Sequence, residues 1–213
     1  MFISFEGVDG SGKTTQIEML YRHFLSKNIP CVATKEPGGN DLALKLRQII
    51  LNESLDSKTQ LLLLNAARME NVQKVILPSL KAGKIVLCDR FIGSTLVYQG
   101  LQGGLGLDFV MQNHQMFLNS IMPDITIYLQ LTPEQALQRL HCRELFDSFD
   151  AQTSTNISKM VDYYNLIYTQ NNNLQIAKIH KNTKIIIIDA SKGDESTIFN
   201  EILQSLNLLS VAS

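Results

Sequence analysis

The sequence predicts an α/β fold in which a parallel sheet of about five strands lies between two layers of helices. Three observations predict this class: strands and helices alternate along the chain, the strands are almost entirely apolar, and a glycine-rich loop joins the first strand to the first helix. Apolar strands are typical of a parallel sheet that helices cover on both faces. The 213 residues suffice for one sizeable core but are few for two, so we expect a single domain over 1–213.

Hydrophobic spacing, glycine and proline predict the elements of the first half. "FISFEG" predicts the first strand, and apolar residues at helical spacing predict a helix from Lys13. "PCVATKE" predicts the second strand and "DLALKLRQIILN" the second helix. A long helix is expected from Lys58 to Lys81, with a bend near Pro78 because proline has no N–H to donate. "KIVLCDR" predicts a third, buried strand.

The second half continues the alternation. Residues 94–122 are expected to be largely helical around a glycine-rich break, and "DITIYLQL" predicts the fourth strand. "TPEQALQRL" predicts a helix that begins with a capping box at Thr132. No clean periodicity follows, so we expect a mobile lid at about 143–157. A helix at about 157–180, the strand "KIIIIDA" and a helix at about 195–208 complete the prediction.

The composition restricts the class of protein and its partners. A net charge of −1 argues against broad binding of nucleic acid, which usually needs a basic surface. The apolar runs are far shorter than the roughly 20 residues of a membrane-spanning helix, so no membrane insertion is expected. The first residues lack a secretion signal, and Cys31, Cys88 and Cys142 show no pairing motif. We therefore expect a cytoplasmic protein with reduced thiols.

One stretch near the start indicates phosphate chemistry. "GVDGSGKT" has the spacing of a phosphate-binding loop and lies between a predicted strand and a predicted helix. In such loops the backbone N–H groups point at phosphate oxygens, the lysine reaches the β- and γ-phosphates, and the threonine ligates Mg²⁺. The alternative is a structural glycine turn before a helix. The residues expected to bind nucleotide phosphates are Gly7, Val8, Asp9, Gly10, Ser11, Gly12, Lys13, Thr14 and Thr15.

Asp89 and Arg90 lie where the third strand ends. The carboxyl ends of parallel strands line the ligand crevice of such sheets, so we expect Asp89 to join Thr14 in a Mg²⁺ site and Arg90 to bind a phosphate. A structural ion pair is the alternative. The guanine-reading Asn-Lys-x-Asp of GTPases does not occur in the sequence, which leaves a small phosphoryl transferase as the favoured class.

Longer segments extend this interpretation. "FEGVDGSGKTTQ", "KEPGG", "LNAAR", "DRFIGSTLVYQG" and "PDITIYLQLTPEQALQR", in this order and spacing, resemble bacterial thymidylate kinases. The similarity covers nearly the whole chain, is strong up to about residue 143, and is loose in the predicted lid. It implies a three-layer P-loop kinase fold, transfer of the γ-phosphoryl group of ATP to dTMP with Mg²⁺, and a homodimer.

The resemblance also implies roles at the acceptor site. Asp9 would accept a hydrogen bond from the 3′-hydroxyl of the sugar and would help to order the arginines that bind phosphate. Arg90 would bind the phosphate of dTMP. Arg68 and Gln99 would contact the edge of thymine. The full set of implied acceptor residues is Asp9, Lys35, Arg47, Leu64, Arg68, Arg90, Thr95, Tyr98 and Gln99.

Each of these roles has a simpler structural alternative. Asp9 could pair with Lys35 or Arg90 and act only within the loop. Arg47 and Arg68 could be solvated helix charges. Tyr98, implied to exclude a 2′-hydroxyl, could be a core aromatic.

Three positions of the acceptor site depart from the family pattern. Lys35 replaces the arginine of a "REPGG" turn, and lysine cannot offer a bidentate fork. Leu64 stands where a phenylalanine commonly stacks on thymine, so aromatic stacking is lost. Gly93 replaces a frequent acidic residue.

The lid departs further. Family members with glycine at position 10 often carry "DRF" there and take a catalytic arginine from it, but this chain reads "DSF" at 147–149. Arg143 is the nearest substitute, with Arg139 and Lys159 in reserve. The residues expected to act in catalysis are therefore Lys13, Asp9, Arg90 and Arg143.

Other functions stay open from sequence alone. A relaxed kinase that also accepts dUMP is the near alternative, and a deoxynucleoside kinase is less favoured because Arg90 and Lys35 suit an anionic acceptor. The altered lid and Leu64 leave room for a nucleotide-binding module without catalysis. A dimerising structural protein that uses the long helix is a further possibility.

Overall fold

The computed structural model describes residues 1–141, 148–169 and 179–210. Within these ranges five strands form one sheet in the order β2-β3-β1-β4-β5, and every pair is parallel. The strands are β1 Phe2–Glu6, β2 Cys31–Lys35, β3 Ile85–Asp89, β4 Ile125–Gln130 and β5 Lys184–Asp189. The predicted α/β class is therefore confirmed.

Helices connect the strands throughout the described ranges. They are α1 Lys13–Ser26, α2 Asp41–Asn52, α3 Ser57–Asn71, α4 Leu77–Lys81, α5 Ile92–Thr95, α6 Leu107–Leu118, α7 Pro133–His141, α8 Ser148–Thr169 and α9 Glu195–Ser210. Two π-helical segments, Val72–Ile76 and Leu96–Gln102, join α3 to α4 and extend α5. The expected capping box is present, because the Thr132 N–H donates to Gln135 Oε1 at 3.2 Å and the Gln135 N–H donates to Thr132 Oγ1 at 3.4 Å.

β1 is the central strand and positions the site. All five of its residues are buried, so helices cover both faces of the sheet there. Its register places Phe5 beside Asp89 of β3 and Glu6 beside Tyr128 of β4. Because the carboxyl ends of parallel strands share one edge, the loop after β1 lies next to the end of β3.

Two details differ from the sequence prediction. The helix expected from 58 to 81 contains a π-helical segment just before Pro78, where the proline removes the hydrogen bond that would reach back to Lys74. The helix expected from 157 begins earlier, at Ser148, so part of the predicted lid is helical. Its Ser, Thr and Asn residues weaken the apolar periodicity of a helix, which explains the wrong boundary. Residues 142–147 lie outside the described ranges.

Candidate active site

The glycine-rich loop ends at the N-terminus of α1. Gly12 is the residue before the helix and has φ 92°, a left-handed conformation that glycine adopts without strain. The N–H groups of the first helical turn have no partner within a helix, so those of Lys13, Thr14 and Thr15 can point at a bound anion. The loop thus has the backbone geometry of the predicted phosphate site.

Lys13 is folded back over this loop. Its side chain is buried, and Nζ donates hydrogen bonds to the carbonyl oxygens of Gly7 at 3.0 Å and Val8 at 2.9 Å. Burial, followed by the positive charge of Arg90, lowers the pKa of Lys13 to about 8. The amine is therefore held against the backbone of the loop.

Thr14 and Asp89, the two residues predicted to hold Mg²⁺, are in contact. Thr14 Oγ1 donates a hydrogen bond to Asp89 Oδ2 at 2.7 Å across the loop. A hydroxyl and a carboxylate are hard oxygen ligands, and Mg²⁺ in nucleotide sites typically takes one or two carboxylates with phosphate oxygens and waters. The two residues therefore fit Mg²⁺.

Arg90 joins the loop to the neighbouring elements. Its Nη2 donates to Asp9 Oδ1 at 2.6 Å. Its Nη1 lies within hydrogen-bonding distance of the Gly7 carbonyl, Ser94 Oγ and Tyr164 Oη, at 3.2, 2.9 and 2.8 Å. The two hydrogens of Nη1 are therefore committed to protein. The guanidinium of Arg90 also lies beside Tyr98, with Cζ 5.5 Å from the centre of its ring. Burial raises the pKa of Tyr98, and the charge of Arg90 and a hydrogen bond with it oppose that rise. Arg90 lines the adjoining pocket, where a guanidinium can serve a phosphate.

The structural alternative for Asp9 is partly realised. Asp9 pairs with Arg90, and its Oδ2 accepts a hydrogen bond from Tyr98 Oη at 3.3 Å. The carboxylate nevertheless lines the adjoining pocket and is 22% exposed, so it faces both the arginine and the space beside it. Ordering of the phosphate-binding arginine and contact with an acceptor sugar are compatible with this position.

A pocket of about 200 Å³ adjoins the loop. Every residue that the resemblance implied for the acceptor lines it except Lys35, which is exposed at the end of β2. The prediction missed six lining residues: Glu36, Pro37, Ile50, Leu51, Phe91 and Ser94. Glu36, Pro37, Phe91 and Ser94 lie inside the quoted motifs, so the motifs marked the region without marking these side chains.

Arg68 is not a solvated helix charge. It is 2% exposed, and Nε donates to Glu36 Oε2 while Nη2 donates to Thr95 Oγ1 at 2.8 Å. Nη1 is buried and has no hydrogen-bond partner among the described residues. Burial raises the pKa of Glu36, and the charge of Arg68 opposes that rise. The pocket therefore holds a fixed buried cation with a spare donor.

A second buried carboxylate, Glu6, supports Arg90 indirectly. Glu6 Oε2 accepts from Ser94 Oγ at 2.6 Å, and Oε1 accepts from the Phe91 N–H at 2.8 Å. Burial raises the pKa of Glu6, and its hydrogen bond with Ser94 opposes that rise. Ser94 and Tyr164 Oη lie 2.9 Å apart, so a hydrogen-bonded chain runs from Glu6 to Tyr164 on α8. Sequence offered no signal for Tyr164, because it lies outside every motif that the sequence analysis identified.

The other cationic residues considered in the sequence analysis do not share one position. Arg47 lines the pocket, and its Nη1 lies 3.4 Å from the Pro37 carbonyl. Arg139 donates to the Ala190 carbonyl at 2.7 Å and lies 3.4 Å from the Gly10 carbonyl, so it contacts the phosphate loop. Lys159 is exposed on α8, and Arg143 lies outside the described residues.

None of the described helices is long and apolar enough to cross a membrane.

Comparison with known proteins agrees with this geometry. The family model described as thymidylate kinase matches residues 5–196. Thymidylate kinase of Rickettsia typhi (strain ATCC VR-144 / Wilmington) is 42% identical over 168 residues, which is 79% of each chain. That of Rickettsia bellii (strain OSU 85-389) is 37% identical over 98% of this chain and 96% of its own. The crystal structure of thymidylate kinase from Ehrlichia chaffeensis superposes with a TM-score of 0.73 at 30% identity and covers 97% of this chain and 98% of its own. The chain belongs to the thymidylate kinase family.

Proposed function

We infer that the chain transfers the γ-phosphoryl group of ATP to dTMP, which gives dTDP and ADP. Membership of the thymidylate kinase family supports this reaction. One observation connects the reaction with the site described above: Asp9 belongs to the glycine-rich loop and also lines the pocket. A nucleotide on the loop and a second nucleotide in the pocket would therefore meet at Asp9 and Arg90.

The donor side uses the loop. The backbone N–H groups at the start of α1 bind phosphate oxygens, and Lys13 Nζ moves from the Gly7 and Val8 carbonyls to the β- and γ-phosphates. Thr14 and Asp89 would hold Mg²⁺, which neutralises charge on the transferring phosphoryl group when it is bound. In such reactions the protein contributes mainly position and charge.

The acceptor side uses the pocket. Arg90 lines the pocket and donates to the phosphate of dTMP, and Asp9, its ion-pair partner, accepts from the 3′-hydroxyl. Arg68 Nη1, which has no hydrogen-bond partner within the described ranges, donates to a carbonyl oxygen of thymine, while Gln99 lies in the same pocket. Leu64 supplies apolar contact to the base, and Tyr98 crowds the 2′ position. A carbonyl in the pocket would satisfy the buried donor that is otherwise left without a partner.

The lid would complete the site. We assign the transition-state cation to Arg143, within a lid at about 143–157, because Arg139 already contacts the loop backbone and Lys159 is exposed. Arg143→Ala should lower turnover by several orders of magnitude, as the loss of an arginine finger does. Unchanged turnover of that variant would exclude the assignment.

Two further properties are proposed, a homodimer and a cytoplasmic site of action. A homodimer is implied for the family, and exposed apolar side chains on α3 and α6, such as Leu62 and Met116, would suit a contact between copies. A cytoplasmic site of action fits the free thiols of Cys31 and Cys88.

The reaction is tested by release of ADP from ATP and Mg²⁺ with dTMP, dUMP, thymidine or no acceptor, with Lys13→Ala as the blank. We expect turnover with dTMP that Lys13→Ala abolishes. Binding of both nucleotides without turnover would favour the non-catalytic module instead. Equal rates with dTMP and dUMP would favour the relaxed kinase.

A further inference from the structure

Gln99 is held by a neighbour that lies outside the pocket. Its Nε2 donates a hydrogen bond to Gln60 Oε1 at 3.1 Å, and Gln60 stands in the first turns of α3. The Nε2 of Gln60 in turn faces the Leu55 carbonyl at 3.4 Å. Leu55, Gln60 and Gln99 therefore form a short chain of contacts that leads from backbone to pocket.

The Leu55 carbonyl fixes the orientation of the two glutamine amide groups. A carbonyl oxygen accepts hydrogen bonds only, so the amide nitrogen of Gln60 must face Leu55 and its oxygen must face Gln99. That oxygen in turn requires the nitrogen end of the Gln99 amide. Gln99 lines the pocket, and no described residue donates to its Oε1. A bound base therefore meets Gln99 Oε1, an acceptor, because the Gln99 amide is not free to turn its nitrogen towards the pocket.

The pocket then holds one acceptor and one donor of fixed identity. Gln99 Oε1 is the acceptor. The donor is Arg68 Nη1, which is buried and has no partner in the part of the chain that the structure describes. Thymine and uracil present an N3–H donor beside the O4 acceptor, which is complementary to this pair. Cytosine presents an N3 acceptor beside an N4 amino donor, which is the opposite pattern. A rotated Gln99 amide would satisfy the N3 of cytosine.

We propose that Gln60 sets the base selectivity of the acceptor pocket by fixing which end of the Gln99 amide faces the base. Gln60 is thus a positioning residue, and it need not touch the nucleotide. The inference rests on the proposed function, because it takes the acceptor to be a pyrimidine nucleoside monophosphate.

The test compares Gln60→Met with Gln60→Glu. Methionine has a similar length and only a weak acceptor, so it releases the Gln99 amide, whereas a glutamate carboxylate still accepts from Gln99 Nε2 and keeps its orientation. Calorimetry gives the dissociation constants of dTMP, dUMP and dCMP for each protein. We expect the preference for dTMP over dCMP to fall about tenfold in Gln60→Met, the worth of one hydrogen bond, and to persist in Gln60→Glu.

The comparison with dUMP separates hydrogen bonding to the edge of the base from packing against the methyl group of thymine. Uracil has the same edge as thymine without the methyl group, so the ratio of dTMP to dUMP affinities should stay constant in both variants. The inference is overturned if Gln60→Met keeps its selectivity, if both variants lose it equally, or if affinity for all three nucleotides falls together. It is also overturned if the wild type does not prefer dTMP to dCMP. Because these are binding constants, they are independent of turnover, whose absence would count against the proposed function alone.

Discussion

Lys13 is charged or neutral depending on what lies beside it. Without nucleotide its pKa is about 8, because burial and the nearby Arg90 both disfavour the cation. A bound γ-phosphate favours the cation and raises that pKa. At pH 9 the amine is therefore mostly neutral before binding and charged afterwards, so ATP should bind with uptake of a proton. At pH 7 the amine is charged in both states, and its contribution to proton uptake should be close to zero.

Calorimetry in two buffers with different ionisation enthalpies measures this uptake. Lys13→Met is the control, because it leaves every other titrating group, including those of ATP, in place. The difference between the wild type and Lys13→Met should grow from pH 7 to pH 9. An equal uptake by both proteins at pH 9 would contradict the prediction.

Gly93 is a second residue whose role the structure redefines. A Cβ at this position would clash with Tyr168 Oη and would lie 2.9 Å from Glu6 Cδ. The glycine therefore provides room for a buried tyrosine, and an acidic side chain here would put a second carboxylate beside Glu6. We expect Gly93→Ala to lower the free energy of unfolding by about 1–3 kcal/mol, as overpacking does.

Urea denaturation of a double-mutant cycle checks the cause of that loss. Tyr168→Phe removes the hydroxyl, so Gly93→Ala should cost less in the Tyr168→Phe background than in the wild type. Equal losses in the two backgrounds would show that the hydroxyl is not what the methyl group meets.

At the scale of elements, α8 contributes a hydrogen-bond acceptor to Arg90, the residue proposed to bind the acceptor phosphate. Tyr164 Oη accepts from Arg90 at 2.8 Å, and its ring stacks on Tyr128 with centroids 5.9 Å apart. Tyr164→Phe keeps the ring and removes the acceptor. We expect the KM for dTMP to rise about 3- to 10-fold, with the KM for ATP little changed. This is less than the full worth of a hydrogen bond to a charged group, because Arg90 Nη1 keeps the Gly7 carbonyl and Ser94 Oγ as acceptors.

Steady-state kinetics with each substrate varied in turn measures this split. Tyr163→Phe is the matched control, since Tyr163 lies on the same helix and is only partly buried. Equal rises of both KM values, or the same rise in Tyr163→Phe, would argue for general destabilisation of α8 instead of a specific hold on Arg90.

The elements themselves were largely predictable, whereas their partnerships were not. Apolar runs and glycines located β1, β3 and β4, because these strands are buried and bounded by turns. The pairing of Arg68 with Glu36 joins residues 32 positions apart, and no local pattern encodes it. The series of hydrogen bonds from Glu6 through Ser94 to Tyr164 could not be predicted from a local pattern either. Polar side chains in α8 also obscured where that helix begins, because they lack apolar spacing.

At the scale of the whole molecule, the proposed dimer is the property most open to a direct test. Sedimentation equilibrium should give twice the chain mass of 23.9 kDa. Leu62 on α3 is 56% exposed, and Leu62→Glu should shift the equilibrium towards monomer because a charge cannot be buried unpaired without a large cost.

Leu25→Glu is the matched control for that substitution. Leu25 is 49% exposed on α1, which packs against α9 instead of the α3 and α6 pair. Its substitution should leave the mass unchanged. A monomeric wild type, or equal dissociation by both variants, would exclude α3 as the contact.

The central place of β1 also bears on how the chain assembles. Its hydrogen-bonding partners are β3 and β4, and Ile3 pairs with Ile125, which is 122 positions further along the chain. Ribosomes add about 5–20 residues per second, so one edge of this apolar strand waits roughly 6–25 s for its neighbour. An unpaired apolar strand is a template for association with other chains. The geometry that brings the phosphate loop to the middle of the sheet therefore makes the nascent chain a candidate client of chaperones during its own synthesis.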